Sequence, residues 1–367
     1  MKKLVKRALS LGMAAMIIFT LTACGGGLPA STTSDVKRVG ISMPTQSLQR
    51  WNQDGSNMRD MFLAAGFEVD LQFGGENEVP VQVAQIENMI ASGVDVLVIA
   101  AIDGEALTEV LAGAKASNIP VIAYDRLIMG TDAVTYYATF DNWLVGVMQG
   151  EYIEDALNLK STPGPYHIEF FTGDPGDNNI NFFFDGAMSV LQPYLDNGVL
   201  ATPSGQTEKL VVATLGWSTE HAQNRMENII SSNGYSPTGV PLHAVMCSND
   251  STAQGVTTAL LNVGFTADNF PVITGQDMDI ISVINMLAGH QAMSVFKDTR
   301  TLAGAVVDMV TAIIAGGEPP INDRVTYDNG MGIIPSFLCE PIVGTLANYR
   351  ELLIESGYYT EEQIYIN

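Results

Sequence analysis

Val94-Asp-Val-Leu-Val-Ile-Ala100 is followed by Ile102-Asp103-Gly104, a helix-patterned run to Ala116, and then Ile119-Pro-Val-Ile-Ala-Tyr-Asp125-Arg126. This reads as strand, helix, strand. Neither apolar run alternates with polar residues, so both strands are buried on both faces, as in a parallel sheet. The second run stops at two charged side chains, Asp125 and Arg126. In open α/β sheets a ligand sits beyond the carboxyl ends of the strands. Such an end is therefore where a site is expected.

The same plan returns downstream. His243–Ser248, then Asn249-Asp250, a helical run, and Phe270-Pro-Val-Ile-Thr-Gly-Gln-Asp277 form a weak internal echo. Two further runs behave alike: Val39-Gly-Ile-Ser-Met43, which leads to Arg50-Trp51, and Met293-Ser-Val-Phe-Lys297. Between them strand and helix patterns alternate almost throughout, with strands expected at 36–43, 68–73, 135–140, 166–171 and 209–215 and a last strong helix at 299–314. Pro319-Pro320 follows that helix, and proline cannot continue one. The reading is α/β, with two doubly wound parallel-sheet lobes facing each other across a cleft. Any two βαβ units look alike, so the echo alone leaves a single-lobe arrangement open.

The candidate site follows from the strand ends. Asp125 and Asp277 each close an apolar run. An ionised carboxylate only accepts hydrogen bonds and can take two neighbouring hydroxyls; capping the next helix is the equally simple alternative. Asn249 both donates and accepts, and Asp250 beside it is the better cap candidate. Arg50, Arg126 and Lys297 stand out in a chain with only 17 Lys and Arg. Trp51 and Trp217 are two of its 3 tryptophans and offer flat faces that exclude water. The loop Gly173-Asp-Pro-Gly-Asp-Asn-Asn179 places Asp177 and Asn179 at another strand end. Such a set suits a small polyhydroxylated molecule. Ordinary core packing, turns and salt bridges account for each residue taken singly.

Catalytic signatures are missing. There is no Gly-x-Ser-x-Gly, phosphate loop or dinucleotide fingerprint, and no His/Cys spacing that suggests a metal. The expectation is a non-enzyme with no cofactor and no metal. A formal net charge of −23 argues against nucleic acid and against docking on anionic lipid.

The first residues read as an export signal: a basic start at Met1-Lys-Lys-Leu-Val-Lys6-Arg7, then an apolar stretch from Leu11 to Leu21. Leu21-Thr-Ala-Cys24 resembles the bacterial lipobox, which implies cleavage after residue 23, lipidation of Cys24 and a membrane anchor outside the cytoplasm. A Gly/Ser/Thr-rich tether follows over 24–35. Cys247 and Cys339 remain, able to pair in an exported protein or to stay as buried thiols.

Longer motifs carry a resemblance. Ile41-Ser-Met-Pro-Thr with Arg50-Trp51, Val121-Ile-Ala-Tyr-Asp-Arg-Leu127, Tyr137-Ala-Thr-Phe-Asp-Asn142, Asp177-Asn-Asn179, Gly275-Gln-Asp277 and Phe296-Lys-Asp298 resemble the pentose/hexose-binding receptors of ABC importers, above all the multiple-sugar-binding and xylose-binding members. The likeness spans about Val36 to Tyr358. It implies the type I periplasmic-binding fold, with lobes of 36–141 plus 299–327 and 142–298 plus 328–367 joined by three crossovers. It implies a monomer that binds a monosaccharide and meets an ABC permease, or alternatively a chemoreceptor or sensor kinase ectodomain. Its site positions fall on Arg50, Asp125, Arg126, Asn179, Trp217, Asn249, Asp277 and Lys297, with Trp51, Asp177 and Asn142 beside them. One departure is Leu215-Gly-Trp-Ser-Thr219, where the related pattern carries Arg before the Trp and Asp-Pro after it. A sugar-responsive repressor shares the fold, but no helix-turn-helix precedes Val36 and the export signal excludes it. An exported carbohydrate-active enzyme is the reading from another class.

Overall fold

The computed structural model describes residues 36–365. The export signal, Cys24 and the tether lie outside the described residues. In chain order the elements are β1 (Arg38–Met43), α1 (Gln49–Ala64), β2 (Glu68–Phe73), α2 (Val79–Ala91), β3 (Val96–Ile99), α3 (Thr108–Ala116), β4 (Val121–Tyr124) and β5 (Val134–Phe140). Then come α4 (Asn142–Ala156), β6 (Tyr166–Phe171), α5 (Asn179–Asp196), β7 (Leu200–Ala201), α6 (Thr219–Asn233), β8 (Ala244–Cys247), α7 (Asp250–Asn262), β9 (Val272–Ile273) and α8 (Ile280–Leu287). The chain finishes with β10 (Ser294–Phe296), α9 (Thr299–Ile314), β11 (Ser336–Cys339), β12 (Ile342–Gly344) and α10 (Glu361–Ile364), a π-helical turn at Arg350–Glu355 standing before α10.

Two sheets result. The larger has the order β11-β5-β4-β3-β1-β2, parallel throughout. Its strands β3 and β4 are buried along their whole length because helices cover both faces. One face carries α1 and α9 over Ile41, Val98, Ile122 and Phe140. The other carries α2 and α3 over Leu97, Ile99, Val121 and Tyr137. The smaller sheet has the order β7-β6-β8-β9, also parallel, and a Gln276–Val295 bridge leads on to the antiparallel pair β10-β12. Burying residues such as these contributes about 1.5–3 kcal/mol each.

The chain crosses between the two bodies at Phe140–Asn142, Phe296–Thr299 and Cys339–Ile342. The third crossing lies later than the lobe boundary expected at Tyr327. Ser336–Cys339 pairs in register with Tyr137–Phe140, so it is the edge strand of the larger sheet. The strand expected over 209–215 is also corrected. That stretch makes only two backbone bonds beside the end of β6, Thr172 N–H to Val212 C=O and Thr214 N–H to Gly173 C=O. β7 already holds the rest of that sheet edge, and Leu210, Val211 and Leu215 are left exposed. Cys247 and Cys339 are free buried thiols. Burial pushes the Cys339 thiol up to about 12. No helix among the described residues is long and apolar enough to cross a membrane.

Candidate functional site

The strand ends meet where the two bodies face each other. Asp125, just past β4, and Asp277, past β9, both have left-handed backbone, with φ of 59° and 97°. Such a conformation is costly for any residue with a Cβ, and strain of this kind collects at functional sites. It persists because the surroundings fix it. The Asp125 carbonyl accepts from Tyr137 Oη (2.7 Å), Thr139 Oγ1 (3.0 Å) and Asn179 Nδ2 (2.8 Å). The Asp277 N–H donates to the Val295 carbonyl at 2.8 Å. Neither carboxylate caps a helix; the position before α8 is held by Asp279.

Three buried cations are threaded among the acids. Arg50 donates through Nε to Asp54 (3.0 Å), Nη2 to Asp125 (3.0 Å) and Nη1 to Asp277 (3.2 Å). Lys297 Nζ lies 3.5 Å from Asp125 and 3.4 Å from Asp277. Arg126 Nε lies 2.9 Å from Asp177, and its Nη1 donates to the Ala101 carbonyl at 3.0 Å. Taking such charges out of water costs several kcal/mol per ion unless each is matched. Burial pulls the Arg50 guanidinium down, yet Asp125, Asp54 and Asp277 outweigh it and hold it well above its ordinary value. Burial likewise pulls Asp125 up, but Arg50, Lys297 and Arg126 keep it below the usual carboxylate range. Behind them Asp54 accepts from the Tyr124 hydroxyl. Burial pushes it up to about 6 against the pull of Arg50.

The tryptophans form two sides. Trp51 is buried, with the Arg50 and Arg126 guanidinium carbons 4.5 and 4.9 Å from its ring centre. These are cation–π distances. Trp217 follows Gly216 in left-handed backbone, φ 55°, and its ring packs edge-on against Phe183. Gly173 makes room for it: a Cβ there would fall 2.0 Å from the ring. The Asp174 carboxylate accepts from Gly216 N–H at 2.5 Å and so ties the two loops together.

The space between the two bodies is walled by Arg50, Trp51, Asp125, Arg126, Asp177, Asn179, Trp217, Asn249, Asp277 and Lys297, which the sequence singled out. Asn142 is not on the wall. It lies one layer behind, where its Nδ2 donates to Asn179 Oδ1 (3.1 Å) and Thr139 Oγ1 (3.2 Å). Asn249, not Asp250, is the N-cap of α7 and accepts from Thr252 N–H at 3.0 Å. Asp250 instead turns inward and accepts from Gln291, Ser294 and the Asp279 N–H. Leu48, Phe183, Ser251, Gln276 and Asp279 also reach the space and were not foreseen. Gln276 and Asp279 flank Asp277 closely enough that a two-residue window around that strand end would have found both. Among the described residues, Trp51 Nε1, Trp217 Nε1, Gln276 Oε1 and Asp279 Oδ1 are buried without a hydrogen-bond partner. Buried polar atoms in that state are rare away from sites that take a ligand or water. No cluster of His, Cys, Asp and Glu among the described residues could hold a metal ion.

Comparison with known proteins settles the family. Residues 39–318 match the periplasmic binding protein domain. The chain belongs to the periplasmic binding protein family. As such it is a binding protein and not an enzyme. This periplasmic binding protein is 48% identical over 353 residues to the multiple sugar-binding periplasmic protein SbpA of Azospirillum brasilense, covering 96% of this chain and 97% of that one. It is 46% identical to the multiple sugar-binding periplasmic receptor ChvE of Rhizobium radiobacter, covering 90% and 93%. Among solved structures it is 60% identical, with a TM-score of 0.87, to an ABC transporter solute binding protein from Clostridium phytofermentans with bound β-D-glucose. That match covers 89% of this chain and all of the other.

Proposed function

We propose that this binding protein captures a monosaccharide of the aldopentose or aldohexose class outside the cytoplasm and presents it to an ABC permease, anchored through lipid on Cys24. The carrying observation is the cavity itself: three cations and four carboxylates line it, two tryptophans flank it, and four polar atoms on its walls lack partners. A sugar brings a ring of hydroxyls, each donor and acceptor, with apolar C–H faces for the tryptophans. The site residues Arg50, Trp51, Asp125, Arg126, Asp177, Asn179, Trp217, Asn249, Asp277 and Lys297 act on it directly, and Asn142 steadies Asn179. The names of the similar proteins, and the glucose in one of them, support this substrate class.

The mechanism follows from hydrogen-bond exchange. Two lobes, 36–141 plus 299–339 and 142–298 plus 342–365, close about the three crossings. Sugar hydroxyls replace water on the charged groups, and the charges are fully matched only in the closed form. Selectivity comes from the same groups. A wall built to pair a hydroxyl rejects an analogue lacking it, because its own atoms are then left unpaired.

A thermal-shift panel of glucose, galactose, xylose, arabinose, fucose, ribose, glucuronate and galacturonate tests this. A ligand that binds only the folded state raises the midpoint by mass action. A rise with one or several aldopyranoses is expected; no rise with any of them overturns the proposal.

A further inference from the structure

Outside the cavity, one face of α1 carries Gln49, Gln53 and Asn57. Their spacing of four residues stacks them in a row. The neighbouring positions Arg50, Trp51, Asp54 and Met58 are buried, Trp51 and Met58 of them in the core of the larger-sheet body. Gln49 reaches to the other body at two points. Its Nε2 donates to Tyr359 Oη at 2.7 Å, and its Oε1 accepts from Ile280 N–H at 3.3 Å. Tyr359 is buried in the apolar cluster of Met278, Val283, Phe296 and Leu353, which belongs to the smaller-sheet side. Ile280 opens α8, three residues beyond Asp277. Gln53 accepts from Tyr358 Oη at 3.4 Å, but Tyr358 also meets Thr299 and Arg300 at the start of α9, on the side of Gln53 itself, so that contact is not part of the tie.

From this we infer that Gln49 and Tyr359 form a latch across the cleft, separate from the ligand cavity, which sets the balance between open and closed forms. Gln49 does not line the cavity, but it immediately precedes Arg50, which does. The bond to Ile280 restrains the segment that carries Asp277. Opening the cleft about its three crossings pulls α1 away from α8 and the C-terminal segment, so the tie exists only when closed. A contact made in one state alone shifts the equilibrium by its own free energy, whatever ligand is present. Gln49 and Tyr359 are therefore positioning residues. Their loss weakens all ligands in proportion, whereas loss of a cavity contact weakens them unequally.

The inference takes its ligand arm from the proposed sugar binding, and a ligand-free arm keeps the two separable. Spin labels are placed at Ser117→Cys and Ser231→Cys, exposed positions on the two bodies, in a Cys24→Ser chain whose remaining cysteines are buried. Distance distributions are recorded for the parent, Gln49→Ala and Tyr359→Phe, without ligand and with glucose. Dissociation rates of glucose and xylose are measured on the same chains. The closed-to-open ratio without ligand is expected to fall about fivefold in Tyr359→Phe, as losing one hydrogen bond predicts, and further in Gln49→Ala, which loses two. Both dissociation rates are expected to rise in step, about fivefold in Tyr359→Phe and more in Gln49→Ala, with their ratio unchanged. An unaltered closed-to-open ratio in both variants overturns the latch. So does a parent chain with no closed population, or a rate change that differs between the two sugars. If neither sugar binds, the sugar reading fails and the ligand-free ratios still decide the latch.

Discussion

The two walls of the cavity are built differently. The larger-sheet wall brings Arg50, Trp51, Asp125 and Arg126. It is rich in cations, and those cations are already committed, since Arg50 also holds Asp54, and Arg126 also holds a backbone carbonyl. The smaller-sheet wall brings Asp177, Asn179, Trp217, Asn249, Gln276, Asp277, Asp279 and Lys297. It is rich in acids and amides, and two of its acceptors have no partner. Arg50–Asp277, Arg126–Asp177 and Lys297–Asp125 each have one member on either wall. The lesson is that neither wall is electrically complete alone. The meeting of the two walls matches buried charges as well as enclosing the cavity.

Breaking a pair that spans the walls carries the largest expected effect. Asp277→Ala leaves Arg50 and Lys297 short of a carboxylate, and removing one partner of a buried pair costs about 3–5 kcal/mol. Calorimetric titration with glucose is expected to show affinity reduced by at least about a hundredfold, with the far-ultraviolet dichroism of a folded chain. Retained affinity would mean that the walls do not meet through this group.

The next effect lies on the smaller-sheet wall alone. Gly173→Ala places a methyl 2.0 Å from the Trp217 ring, so the ring must leave its seat. Affinity is expected to fall about tenfold, in line with about 1.5 kcal/mol of lost aromatic packing. The sugar-dependent change in tryptophan fluorescence should shrink with it. Asn249 separates fold from ligand on that wall. Asn249→Ala removes a cap worth about 1 kcal/mol, whereas Asn249→Asp keeps the cap and loses only the amide donor. Both should weaken sugar binding, but only the alanine variant should unfold earlier in a urea melt.

The smallest effect is a pH slope. Asp279 is pushed up to about 7 by burial and then by Asp277, and Asp54 up to about 6, both from an ordinary value of 3.8. A raised acid stabilises the fold fully below its unfolded pKa, and this contribution is lost as pH rises through the folded pKa. Stability should therefore fall between about pH 4 and about pH 7, by at most about 1.4 kcal/mol per pH unit for each group. Asp125, held low, acts with the opposite sign, and its contribution disappears only as pH falls below 3.8. Thermal midpoints across this range should slope less in Asp279→Asn. An unchanged slope would remove Asp279 from the account.

Much of this was legible in the residues. Apolar runs ending in charge gave β3, β4 and β8 and located Asp125, Arg126, Asn249 and Asp277, because burial on both faces writes itself into composition. The miscues share a cause. Leu210–Leu215 is as apolar as a strand, but the edge it would occupy belongs partly to β7, which no local pattern reveals. Ser336–Cys339 joins the larger sheet because β5 has a free edge, again a matter of neighbours. Asn142 has a site-like composition, yet it turns toward Asn179 and steadies it from behind.

The linear chain by itself determined the parallel α/β class, the strand ends that matter and the scarcity of cations that made Arg50, Arg126 and Lys297 conspicuous. Hydrophobic period and local charge are short-range properties that any window along the chain carries. Only the tertiary structure decided which charges face which. The pairing of Arg50 with Asp277 spans 227 positions, and that of Gln49 with Tyr359 spans 310. Partnerships across a cleft depend on how two bodies fold and meet, and at such separations sequence distance carries no information about distance in space.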